Sequence, residues 1–216
     1  MSILFRGPCF DYVMSLEPLR GAEYVMHGSS AMLFQRDGNL YRLTTCGGGH
    51  CFLADQSAKG NPSVVRVIHD FGPLAPADDD DGWVYYWLAQ VEWLEEVDAE
   101  SPEGSRLNQI LLSLAEDGAV MPEDRPQFFV DCEKAAATHE EFAPLLRTLI
   151  LAAKTLGERD GVVDSNLSNV MRRPVTGEIV WIDPIDEAIG HTTKAQDAEM
   201  ERIRELYKPA TEFAWV

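Results

Sequence analysis

The sequence predicts an α+β fold, with a five-stranded antiparallel sheet and one helix in the first half and a helical second half. Three observations carry this. Short runs of β-branched and aromatic residues, broken by turn residues, fill the chain from Glu23 to Val91. An Asp-Gly pair at Asp37-Gly38 marks a tight hairpin. From Leu107 onward, apolar residues recur at three- and four-residue spacing instead.

Each element follows in order. Tyr24-Val25-Met26 is a first strand, ended by the small polar turn His27-Gly28-Ser29-Ser30. Ala31-Met32-Leu33-Phe34 is the second, and Leu40-Tyr41-Arg42-Leu43-Thr44 returns beyond Asp37-Gly38 as the third. Gly47-Gly48-Gly49 reads as a flexible connector, followed by a short helix over His50 to Ala58. Val64 to Ile68 and Val84 to Val91 are the fourth and fifth strands, on either side of Asp78-Asp79-Asp80-Asp81. This loop and the stretch from Asp98 to Glu103 read as solvated linkers. The halves join between Glu92 and Asp98. Leu107, Ile110, Leu111 and Leu114 form one helical stripe. Phe142, Leu145, Leu146, Leu149, Ile150 and Ala153 form a longer one, closed by Gly157 at the C-cap position. Met200, Ile203, Leu206 and Tyr207 mark a last amphipathic helix, assigned with the helical half.

The 216 residues suit one domain, and no run is long and apolar enough for a membrane helix. The opening, interrupted by Gly7-Pro8, is too short for a secretory signal, and four scattered cysteines make no disulfide framework. A cytoplasmic protein is expected. The net charge of −18 argues against direct binding of nucleic acid or anionic membrane and favours basic partners.

The chemistry-bearing residues follow the long helix. Asp164 is followed five residues later by Asn169, in Asp164-Ser165-Asn166-Leu167-Ser168-Asn169. Beyond a second hairpin signal at Val175-Thr176-Gly177, the run Ile179-Val180-Trp181-Ile182 ends on Asp183-Pro184. This pair of spacings resembles the catalytic loop and metal-binding aspartate of protein kinases. The resemblance implies a two-lobed fold, with an antiparallel five-stranded N-lobe over residues 1–92 and a truncated helical C-lobe over 98–216. It implies ATP and Mg2+ as cofactors, with Asp164 taking the acceptor hydroxyl proton and Asn169 and Asp183 holding magnesium.

Gly28, Ser29 and Ser30 resemble a glycine-rich loop over the nucleotide phosphates, with one glycine remaining. Arg42 stands where the family has a lysine, and Asp55 is the nearest match to the helix glutamate. Lys59 is the one other candidate cation in the helix region, and Asn61-Pro62 resembles a pattern of short kinase-like proteins. Glu92 and Leu94 resemble the hinge that meets adenine. Val162 and Val163 replace the usual His-Arg, so phosphorylation of an activation loop is not expected to control this site. About thirty residues follow Pro184, fewer than a full helical lobe needs. These features resemble the minimal kinases of some phages, such as the early Ser/Thr kinases of the T7-like group, and of some bacterial effectors. That resemblance implies a protein substrate, among them a basic host protein, and a location in host cytoplasm.

Two alternatives accompany this reading. Cys46, His50 and Cys51 could hold zinc if Cys9 or Cys132 joined them, although the spacing matches no familiar motif. The chain could also be a catalytically inactive acidic binding protein that blocks a basic, nucleic-acid-binding partner.

Overall fold

In the computed structural model, residues 4–78 and 82–207 are described; Asp79 to Asp81 of the acidic loop lie outside them. The fold is α+β, built on a five-stranded antiparallel sheet with six α-helices among the described residues. A first helix, α1 (Pro8–Ser15), precedes strands β1 (Glu23–His27), β2 (Ala31–Arg36) and β3 (Asn39–Thr44). Helix α2 (Gly47–Ala58) then leads to β4 (Val67–Pro76) and β5 (Tyr85–Val91), and the spatial order is β1-β2-β3-β5-β4. The β2–β3 turn forms at the predicted pair: Asp37 and Gly38 take φ of 52° and 79°, with Arg36 paired to Asn39. A two-residue loop needs two such left-handed residues to match the twist of its strands.

The fourth strand is displaced from its expected place. Val64 and Val65 are buried but pair with Trp181, through Val65 N–H to the Trp181 carbonyl at 2.8 Å. The ladder to β5 begins at Val67 and continues through Gly72-Pro73 to Pro76. It survives those residues because β4 is an edge strand with three register breaks, where a missing N–H leaves no central ladder unpaired.

The second half adds helices α3 (Pro102–Leu114), α4 (Arg125–Thr138), α5 (Ala143–Leu156) and α6 (Lys194–Tyr207). Two small sheets accompany them. The first joins β6 (Glu95–Glu96), β9 (Val170–Arg172) and β10 (Ile179–Trp181); the second joins β7 (Ala119–Val120), β8 (Val162–Asp164) and β11 (Ile185–Asp186). Ser101 caps α3 by accepting the Gly104 N–H at 3.0 Å, and Gly157, with φ 59°, closes α5. Helices α1 and α4 have no counterpart in the sequence expectation. The buried face of α4 includes Arg125 beside Phe128, Cys132 and Ala136, so its apolar stripe is interrupted.

Residues of β3 and β5 are divided between two cores. Leu40, Ala89 and Val91 face Phe52 and Leu53 of α2 and the Leu146, Leu149 and Trp181 group of the second half. Tyr41, Leu43, Tyr86 and Leu88 face the other way, under Phe10 and Val13 of α1 and Met200 and Ile203 of α6. Helix α6 therefore packs on the outer sheet face against β4, and not with the helical half to which its sequence position assigned it. Strands covered on both sides read as unbroken apolar runs, as Tyr85 to Ala89 does. No helix among the described residues is long and apolar enough to cross a membrane.

Candidate active site

The β9–β10 hairpin turns at Gly177 (φ 75°) and brings the Asp164 and Asp183 segments side by side. Ile182 N–H donates to the Asn169 carbonyl at 2.9 Å, and Asp164 N–H to the Pro184 carbonyl at 3.0 Å. The β8–β11 pairing continues the contact. Residues far apart in sequence thus share one edge of the fold because backbone hydrogen bonds clamp both loops.

Asp183 sits at the centre. One oxygen, Oδ2, accepts from Arg42 Nη2 at 2.7 Å and from the Ser30 hydroxyl at 3.4 Å. The other, Oδ1, is buried without a hydrogen-bond partner. Burial pushes the Asp183 carboxyl above its ordinary range, against the pull of Arg42; the charges of Asp164 and Asp186 add to the rise. Arg42 is delivered from the middle of β3, paired with Leu33 and Ala89 of the neighbouring strands.

Ser30 reaches the site from the β1–β2 turn. That turn is closed by Gly28 N–H to the Ala31 carbonyl at 2.9 Å and tied to β3 by the Thr44 hydroxyl on the Ser30 carbonyl at 2.7 Å. Gly28 and Ser29 are exposed on it. Asp164 Oδ1 accepts from the Asn166 amide side chain at 2.7 Å and from its N–H at 3.2 Å. Asn169 ends a short 3-10 turn, Leu167–Asn169, beside it.

The structure does not gather the remaining predicted residues in the same way. The Glu92 carboxylate holds Arg173, with contacts of 2.9 to 3.1 Å, and its N–H donates to the Arg66 carbonyl at 3.1 Å. Leu94 packs against the larger core. Asp55 pairs with Lys59 at 2.7 Å, whereas Arg42 pairs with Asp183. Asn61 accepts the Ser63 N–H and bonds Gln56 and Thr148, a turn-making role.

The Cys46, His50 and Cys51 side chains point apart. Cys46 faces the Ile185 carbonyl at 3.1 Å, and burial together with Asp183 pushes its thiol up to about 12. His50 meets Asp70 at 2.9 Å and lies against Trp87, while Cys51 faces the His191 carbonyl. No three His, Cys, Asp or Glu side chains among the described residues form a ready cation cage.

The triple glycine is the first turn of α2, not a flexible connector. Gly47 and Gly48 donate to the carbonyls of Ala188 and Glu187 at 3.1 and 2.8 Å. A Cβ on Gly49 would stand 2.7 Å from the Ile185 carbonyl and 2.9 Å from Asp183 Oδ1. Glycine is required because the chain after Asp183 lies directly on the helix.

Other supports escaped the sequence reading. Gly118 (φ 71°) lies so close to Asn166 that a Cβ would stand 2.2 Å from its Oδ1, and the Gly118 carbonyl accepts Ser165 N–H at 2.7 Å. Arg125 donates to the carbonyls of Gly157, Arg159 and Gly161, bracing the loop before Asp164. Arg159 pairs with Glu187 at 2.8 Å and links that loop to the segment after Asp183. The Asp117-Gly118 pair was a visible turn signal; nothing local pointed to Arg125 or Glu187.

The side-chain oxygens of Asp183 and Asn169 are of the kind a hard divalent cation such as magnesium takes, since it uses few protein ligands and keeps water or phosphate for the rest. Compared with known proteins, the chain matches no family model, no curated protein and no solved structure.

Proposed function

We propose that the chain is an ATP- and magnesium-dependent phosphotransferase of the protein-kinase type, a minimal Ser/Thr kinase of the cytoplasm acting on protein hydroxyls. The observation that carries this is the convergence of Arg42 and Ser30 on one oxygen of Asp183, with the other oxygen buried and unpartnered and the charge of Asp164 adding to the rise of its pKa. A cation-bearing strand, a small polar turn and two carboxylate loops around one point are what phosphoryl transfer needs, since positioning and charge neutralisation dominate its barrier. The five-stranded antiparallel sheet and the helix after its third strand add support to this reading.

In this reading Arg42 and the Gly28–Ser30 turn meet the nucleotide phosphates. Asp183 and Asn169 hold magnesium, which supplies charge neutralisation at the phosphate oxygens. Asp164, oriented by Asn166, accepts the proton of the attacking hydroxyl. Glu92 serves by fixing the strand end to Arg173.

A second reading, an acidic binding protein without catalysis, draws on one observation: the Arg42 guanidinium is spent on Asp183, while Asp55 of α2 turns to Lys59. Transfer of labelled γ-phosphate separates the two. Wild type is expected to label protein acceptors, basic ones included, and Asp164→Ala and Asp183→Ala to abolish labelling. Folded wild-type protein that labels nothing, yet binds a basic partner equally well with Asp183→Ala, would favour the second reading.

A further inference from the structure

Arg42 and Asp183 form a largely buried pair, with side chains 9% and 19% exposed. A guanidinium is permanently charged, and leaving such a charge buried without a counter-ion is strongly unfavourable. Helix α2 offers Arg42 no carboxylate: its first turn is glycine, and its Asp55 is held by Lys59. Asp183 is thus the counter-ion for Arg42 through Oδ2, while its other oxygen, Oδ1, is buried against Gly49 of α2 without a hydrogen-bond partner.

We infer that this pair is a counter-ion latch that couples nucleotide to metal. The inference rests on the kinase reading and deepens it. A phosphate that takes Arg42 strips Asp183 of its partner, and a divalent cation that takes Asp183 strips Arg42. Either ligand alone leaves one buried charge uncompensated, whereas both together satisfy each. By linkage, each ligand then raises the affinity for the other by the same factor.

The test is a double-mutant cycle on ADP binding, measured by calorimetry in EDTA so that no metal contributes. Asp183→Asn frees Arg42 and is expected to tighten metal-free ADP binding by about tenfold or more. In an Arg42→Gln background the same change is expected to give little gain; Arg42→Met, which keeps the stem in the sheet, replaces it if the glutamine variant does not fold. An equal gain in both backgrounds would mean simple removal of a repelling charge, overturning the latch while leaving the kinase reading intact. Wild type that binds no ADP even with magnesium would overturn the kinase reading and the latch with it.

Discussion

At the residue scale, two buried ionic groups govern the site and its support. Asp183 titrates above its ordinary range because burial, with the Asp164 and Asp186 charges added, outweighs Arg42. A carboxyl raised in the folded state binds more protons there than in the unfolded chain. Its contribution is fully present below the unfolded value, about 4, and is lost as pH rises through the folded value. Asparagine does not titrate. The stability of Asp183→Asn relative to wild type is therefore expected to grow as pH rises from below that value, then level off. Urea unfolding across a pH series reads this directly, and a difference that shrinks with rising pH would refute the assignment. Arg173 is the second case. Buried, it binds Glu92, Glu178 and the carbonyls of Pro62 and Val64. Arg173→Ala leaves Glu92 unpaired and is expected to cost about 3 kcal/mol in the same assay, since breaking a buried pair strands a charge. A loss under about 1 kcal/mol, the range of surface pairs, would show the contact to be incidental.

At the scale of the element, α2 reverses the usual rule for glycine. Alanine ordinarily favours a helix by about 1 kcal/mol over glycine. In the first turn of α2, a Cβ at Gly49 meets the fixed Ile185 carbonyl at 2.7 Å, whereas at Gly48 it first meets Cβ and Cγ of the Glu187 side chain. Gly49→Ala is expected to destabilise by about 1 to 3 kcal/mol, the range for overpacking, and Gly48→Ala by less. Equal or stabilising effects at the two positions would mean that the helix and the 185–187 segment do not pack as described.

For the whole molecule, one sheet serves two cores. Leu88 and Ala89 are neighbours on β5 yet belong to the outer and inner cores, so loss of either core deprives the same strand of support. Unfolding is expected to be a single transition, with far-UV circular dichroism and tryptophan fluorescence coinciding. Met200→Ala, in the helix covering the outer face, is expected to lower the whole transition by about 2 to 4 kcal/mol. Two separable transitions, only one of them moved by Met200→Ala, would show that the cores are independent.

Local signals were legible because their causes are local. The Asp37-Gly38 turn follows from backbone preference over two residues, and the α5 stripe and its Gly157 cap from periodicity within one helix. The spacing of Asp164, Asn169 and Asp183 around a hairpin signal was readable for the same reason. Helix α4 was hidden because its buried Arg125 is satisfied by carbonyls some thirty residues away, a partner that no local pattern announces. The length of β4 was hidden because a proline's cost depends on whether its strand lies at an edge. By itself the sequence determined the α+β division and the main hairpins, and it set Asp164, Asn169 and Asp183 on either side of one of them. Tertiary structure alone decided that α6 returns to the sheet, that three glycines begin a helix, and that Arg42 spends its charge on Asp183, because each depends on which surface lies opposite.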